Sequence, residues 1–218
     1  MNILIDTASL WYFQSNAYVV AAETGGAAVV VDTPPDPAGI AALLAQHDLT
    51  PIAALITHGH IDHVGGADGV IGPTVTGYLH PDDIDMARHP GEQLRALLGE
   101  QVDGLSGDVI RSSFSDLAHG QHLSLAGVAF DVIHTPGHTR GHCCFHVPDE
   151  GVLFSGDHLF AGSIGRTDLP GGSLDALMDS MAHRILPLPA QTDVLPGHGP
   201  ATTLAAERAS NPFLQELS

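Results

Sequence analysis

The sequence of 218 residues contains no lysine, and its fixed positive charge is limited to seven arginines. Against them stand 25 acidic residues, for a formal net charge of −18 with histidines neutral. Nucleic-acid binding depends largely on Lys and Arg neutralising phosphates, so nucleic acid is excluded as a partner, and so is an anionic membrane surface. Cysteine is scarce too. Cys143 and Cys144 are adjacent, which rules out an ordinary disulfide between them and points to a reducing, cytoplasmic address. No apolar run reaches the roughly 18 to 20 residues needed to span a bilayer. Residues 1–13 carry Asp6 and no Lys or Arg, unlike a secretory signal. Charged residues make up only 15% of the chain, whereas hydrophobic residues make up 44%, enough for a substantial core. Histidine is abundant, with 15 copies, and this excess is the first indication of function.

Strand and turn signals alternate from the start. Residues 17–22 and 27–31 flank Glu23-Thr24-Gly25-Gly26 and read as a hairpin. Asp36 before Pro37 has the form of an N-cap followed by proline at the first helical position, opening a helix to about His47. Residues 52–56 form an apolar run that ends in the polar cluster 57–63. A short helix at about 62–70 and a strand near Val75 follow. Residues 81–111 read as irregular and acidic, the expected lid or variable loop. Strands are predicted at 122–125, 128–133, 143–147, 152–154 and 194–195, with helices over 173–185 and from about Thr202. Hairpins mixed with helices make the chain α/β or α+β. With no Ser/Gly linker or repeat, one domain spanning 1–218 is expected.

Residues 57–63 read Thr-His-Gly-His-Ile-Asp-His. His58, His60, Asp62 and His63 therefore fall together directly after a predicted buried strand. Neutral imidazoles suit Zn, Fe and Mn, and a carboxylate among them favours water-activating divalent ions. His58 and His60 are two apart, so a locally extended backbone can aim both the same way, leaving Asp62 and His63 for a second position. Four side chains cannot complete two coordination spheres. Further ligands are found in His138 of Thr-Pro-Gly-His-Thr, Asp157 of Phe-Ser-Gly-Asp and His198 of Leu-Pro-Gly-His-Gly. Each follows a predicted strand and lies in a Gly or Pro turn, and the glycines at 137, 156, 197 and 199 serve those turns.

This His-x-His-x-Asp-His motif, with the later His, Asp and His, resembles the metallo-β-lactamase superfamily over residues 17 to about 200. The resemblance implies an α+β, four-layer αβ/βα sandwich with the metal site at one edge of the sheets. It also implies that His58, His60 and His138 hold one metal, that Asp62, His63 and His198 hold a second, and that Asp157 bridges them. Zn is the default occupant, and Fe or Mn suit the same donors. The stretch Gly162 to Asp168, with Gly-Arg-Thr-Asp, resembles small glyoxalase II-like hydrolases and also persulfide dioxygenases. Larger glyoxalase II enzymes carry a carboxy-terminal helical domain that binds glutathione. With residues 199–218 alone following His198, no such domain is expected.

The resulting expectation is a binuclear hydrolase of thioesters such as S-lactoylglutathione. Its nucleophile would be a metal-bridging hydroxide, with Asp62 orienting the water. The alternative is a mononuclear iron persulfide dioxygenase using His58, His138 and Asp157. A lactonase and a non-catalytic metal-binding protein are weaker readings. Arg166 and Asp168 either contact substrate or pair with each other. His134, His142 and His158 either orient ligands or are structural. His47, His80, His89, His119, His122, His146 and His183 receive no role. Strand alternation puts Cys143 and Cys144 on opposite faces, as small core residues.

Overall fold

The structure, a computed structural model, describes residues 3–98 and 109–215. Its first sheet runs in chain order through β1 (Leu4–Leu10), β2 (Ser15–Ala21), β3 (Ala27–Val31), β4 (Thr50–Leu55), β5 (Thr76–Leu79) and β6 (Phe114–Asp116). The β1–β2–β3 part is antiparallel and includes the predicted hairpin, whereas β3, β4, β5 and β6 run parallel. The second sheet contains β7 (His122–Leu125), β8 (Val128–His134), β9 (Cys143–Val147), β10 (Val152–Gly156), β13 (Asp193–Pro196) and β14 (Thr202–Thr203). A small ribbon of β11 (Leu159–Phe160) and β12 (Ser163–Ile164) lies outside it.

The inner layers come from strict alternation along strands buried on both faces. In β2, Tyr18 and Val20 turn inward to meet Phe130, Val132, Phe145 and Phe154 of the second sheet, and Tyr18 packs edge-on to Phe154 with ring centroids 5.3 Å apart. Ala17, Val19 and Ala21 of the same strand turn outward, against Ile40, Leu43 and Leu44 of α1 (Pro37–Gln46). On the opposite side Cys144, Leu153 and Val194 pack on Leu177 of α6 (Leu174–Ser180), on Met181 and Ile185 of the π-helical turn that continues it, and on Leu204 of α7 (Leu204–Ser210). The layer order is therefore αβ/βα, and the chain has the metallo-β-lactamase fold. Cys143 lies in the inner core and Cys144 in the outer one, so the two thiols do face opposite ways.

The predicted cap at Asp36 holds, and a second one is found at Ser173. Asp36 accepts the Gly39 N–H at 2.9 Å ahead of Pro37, and Ser173 caps α6. The helix predicted near 62–70 is split into α2 (Ile61–Val64) and α3 (Ala67–Val70). The expectation of an irregular segment over 81–111 is corrected. Residues 81–98 form α4 (Pro81–Arg88) and α5 (Pro90–Leu98), while part of the proposed lid lies outside the described residues. Pro81 and Pro90 sit at helix starts, where a missing N–H costs nothing, and His80 Nδ1 caps α4 by accepting the Asp82 N–H. Strand β1 carried no prediction. Among the described residues, no helix is long and apolar enough to cross a membrane.

Candidate metal centre

All seven proposed ligands converge at one edge of the two sheets. His58, His60, Asp62 and His63 follow β4, His138 follows β8, Asp157 follows β10 and His198 follows β13. The ligand atoms of His58, His60 and His138 lie within 4.8 Å of one another, as do those of Asp62, His63 and His198 and those of His58, His63 and Asp157. Six of the seven side chains are buried, and His198 is half-buried. Asp157 connects the groups: Oδ1 is 3.4 Å from His63 Nε2, and Oδ2 is 3.6 Å from both His138 Nε2 and His198 Nε2. Close backbone approach requires glycine at 197, where a Cβ would collide with Asp157 Oδ1 and His63 Cε1.

Hydrogen bonds on the outer side of the rings settle their tautomers. Thr57 Oγ1 donates to the Asp32 carboxylate and so accepts the Nδ1–H of His58 at 3.0 Å. His63 Nδ1–H donates to Asp32 Oδ2 at 2.8 Å, His138 Nδ1–H to the Arg166 carbonyl at 2.7 Å and His198 Nδ1–H to the Phe13 carbonyl at 3.1 Å. His58 and His138 are left with an Nε2 lone pair directed inward, and Nε2 is also the inward-facing nitrogen of His63 and His198. The Nε2 atoms of His58 and His138 stand 3.2 Å apart, with His60 Nδ1 at 3.1 and 2.9 Å from them. Converging lone pairs repel unless a cation lies between them. Asp157 Oδ1 is also buried without a hydrogen-bond donor among the described residues. The donor set therefore fits metal ions of the imidazole–carboxylate class.

The electrostatics divide along the same two groups. Burial, then the neighbouring histidines, holds His58 well below the usual imidazole range, and burial followed by His138 takes His60 down to about 3. These rings are neutral donors at physiological pH. Burial also opposes a charge on His63, but Asp157, Asp62 and Asp32 outweigh it and hold its pKa well above normal. Against burial, His63 and His198 hold Asp62 well below the carboxylate range, and His63 above all does the same for Asp157. This half of the centre calls for positive charge.

Several residues around the ligands carried no prediction. Asp32 has a left-handed backbone at φ 59° and holds both Thr57 and His63. Ser15 Oγ donates to Asp62 Oδ2 at 2.9 Å. A buried acid just after the apolar run of β3 was the one legible signal for Asp32. Of the uncommitted histidines, His142 acts on a proposed ligand: its Nε2 accepts the Asp157 N–H at 3.1 Å while Nδ1 pairs with Thr135. His158 is fully buried, and neither ring nitrogen has a partner among the described residues. His134 donates to the Arg140 carbonyl and stacks on His80 with ring centroids 4.1 Å apart. Arg166 and Asp168 pair with each other through two 2.8 Å hydrogen bonds, both side chains exposed.

A cleft of about 420 Å³ leads away from His60, with walls from α4, α5 and the segment 169–171. A family model of the metallo-β-lactamase superfamily matches residues 10–198. The chain is 36% identical to the hydroxyacylglutathione hydrolase GloC of Haemophilus influenzae, over 94% of this chain and 95% of GloC. Among solved structures, TTHA1623 in a di-iron-bound form superposes with a TM-score of 0.83 at 41% identity, covering 96% of this chain and 100% of that one. BLEG-1, a B3 metallo-β-lactamase, superposes with a TM-score of 0.87 at 36% identity, covering 97% and 99%.

Proposed function

The chain belongs to the metallo-β-lactamase superfamily, and from that premise we propose that it is a binuclear metal-dependent hydrolase cleaving hydroxyacyl thioesters to a hydroxy acid and a thiol. The observation that carries this reading is the pair of inward-facing donor groups joined through Asp157. In this scheme His58, His60 and His138 would hold one ion, Asp62, His63 and His198 would hold the other, and Asp157 would be shared. Two divalent ions held there supply a Lewis acid for the carbonyl oxygen and a water acidic enough to ionise near neutral pH, with Zn the default and Fe or Mn also suited.

The chain's own groups do the rest. Asp32, Thr57 and the carbonyls of Arg166 and Phe13 fix the rings, so little reorganisation accompanies the reaction. Asp62, restrained by Ser15, would orient the water. A thiolate is a good leaving group, since free thiols ionise at a pKa near about 8.5, and no general acid is assigned. GloC is named for the same chemistry, and the Gly162 to Asp168 segment supports that choice of substrate. The partner is a small thioester rather than nucleic acid or membrane, and the reducing cytoplasm is the expected setting for two free, buried thiols.

The test is metal analysis with three assays on Zn- and Fe-loaded protein: S-lactoylglutathione hydrolysis, oxygen uptake with glutathione persulfide, and cleavage of a chromogenic cephalosporin. Thioester cleavage with close to two ions per chain is expected. Oxygen uptake, or β-lactam cleavage, without thioester cleavage in either form would replace this reading.

A further inference from the structure

The cleft beside His60 has an uneven charge. Asp82, Asp85 and Glu92 line it, with Met86 and Leu169 supplying apolar wall, and Arg140 is the one Lys or Arg among the lining residues. No lysine or arginine neutralises these carboxylates through an ion pair among the described residues. Asp82 has His80 at 3.8 Å and Asp85 has His89 at 3.6 Å. Burial lowers the pKa of His80, so it does not offset Asp82 at neutral pH. The chain as a whole, at −18 with these residues counted, sets a field of the same sign. A lactoyl group is too small to fill a cleft of about 420 Å³. With a reacting carbonyl at the His60 end, the cleft has room left for the longer thiol arm.

Resting on the thioesterase reading, we infer that this cleft binds the thiol half of the substrate and selects by charge, preferring a cationic thiol to a neutral one and a neutral thiol to an anionic one. Glutathione, with two carboxylates against one ammonium, falls at the disfavoured end.

The experiment is a charge series of one acyl group. Lactoyl thioesters of thiocholine, N-acetylcysteamine and 3-mercaptopropionate are compared by kcat/KM with the metal-loaded protein. Binding of the matching thioethers, which cannot be hydrolysed, is measured by calorimetry. At low ionic strength each step toward negative charge should lower kcat/KM by about threefold or more, and thioether affinity should follow the same order. The gradient should shrink at about 0.5 M salt, where the screening length is a few ångströms. Asp85→Asn with Glu92→Gln should flatten it, and Arg140→Gln should steepen it. A flat or reversed series, or one unaffected by salt and by these substitutions, overturns the inference while leaving thioester hydrolysis intact. If no thioester is cleaved, the proposed function fails, and the thioether order alone decides whether the cleft selects cations.

Discussion

The Asp83 carboxylate accepts the Gly59 N–H at 2.9 Å, from helix α4 into the turn between His58 and His60. The same carboxylate accepts from Thr139 Oγ1 at 2.6 Å and from the Gly141 N–H at 2.7 Å, on either side of Arg140 and just beyond His138. One fully buried side chain thus ties together the two loops that carry the histidines of the first donor group. Removing it leaves buried donors without an acceptor, each costing about 1–3 kcal/mol. Asp83→Ala should therefore lower unfolding free energy by about 3 kcal/mol or more and weaken the His58–His60–His138 site, with Asp83→Asn recovering part of both. Denaturant unfolding and metal titration measure this, and a loss below about 1 kcal/mol would refute the clamp.

Asp157 is the side chain that faces both donor groups. Asp157→Ala should lower the affinity for both ions together, from close to two per chain, because two cations lose their shared anion. His183, exposed and bonded to its own helix through the Asp179 carbonyl at 3.0 Å, serves as the control: His183→Ala should leave metal content unchanged. A variant at 157 that kept two ions and full turnover would remove the bridge from the scheme.

The seven candidate ligands that the structure brings together were legible in the sequence because each lies in a short local motif, a strand ending in a Gly or Pro turn. The groups that hold them were not, because they come from register rather than from neighbours in sequence. Asp32 reaches Thr57 only because β3 and β4 pair in parallel, with Val31 opposite Leu55. Phe13 meets His198 because β2 brings Asn16 to the Pro196–Gly197 turn, where its N–H donates to the Gly197 carbonyl at 2.7 Å. Residues 81–98 were read as irregular from their acidic character, whereas Pro81 and Pro90 open helices and Asp82, Asp83 and Glu92 lie in the first turns, where acids are favoured. The second sheet was easier to read: β9 and β10 are buried at every position and flank the Pro148–Gly151 turn, so they read directly as a hairpin.

Arg166 contributes to the centre through its main chain. His138 donates to its carbonyl, whereas its guanidinium is exposed and held by Asp168. An exposed ion pair of this kind is worth about 0–1 kcal/mol. Arg166→Ala should therefore leave metal stoichiometry and stability nearly unchanged, so that any loss of kcat/KM in this variant reports contact with substrate. Loss of an ion from the first site would show that the side chain, not the carbonyl, sets His138.

Burial pushes the Cys144 thiol up to about 12 and raises Cys143 well above the ordinary range. Each S–H has an acceptor, the Gly141 carbonyl for Cys143 at 3.5 Å and the Ser155 carbonyl for Cys144 at 3.4 Å. In the unfolded chain both thiols ionise near about pH 8.5. Below that pH both states are protonated and the thiols contribute no pH dependence. Above it the unfolded chain sheds protons that the native protein keeps, so stability falls as pH rises, by at most about 1.4 kcal/mol per pH unit for each thiol. Tyr18, raised by burial as well, adds to the slope above about pH 10. Native protein should be inert to an aromatic disulfide reagent at pH 8 and release two equivalents once denatured, because the thiolate is the reactive form. The alkaline loss of stability between about pH 9 and 10, where the thiols dominate, should largely vanish when Cys143→Ala and Cys144→Ala are combined. Rapid labelling of the native protein, or an unchanged slope in the double variant, would show that these thiols are not sealed in the two cores.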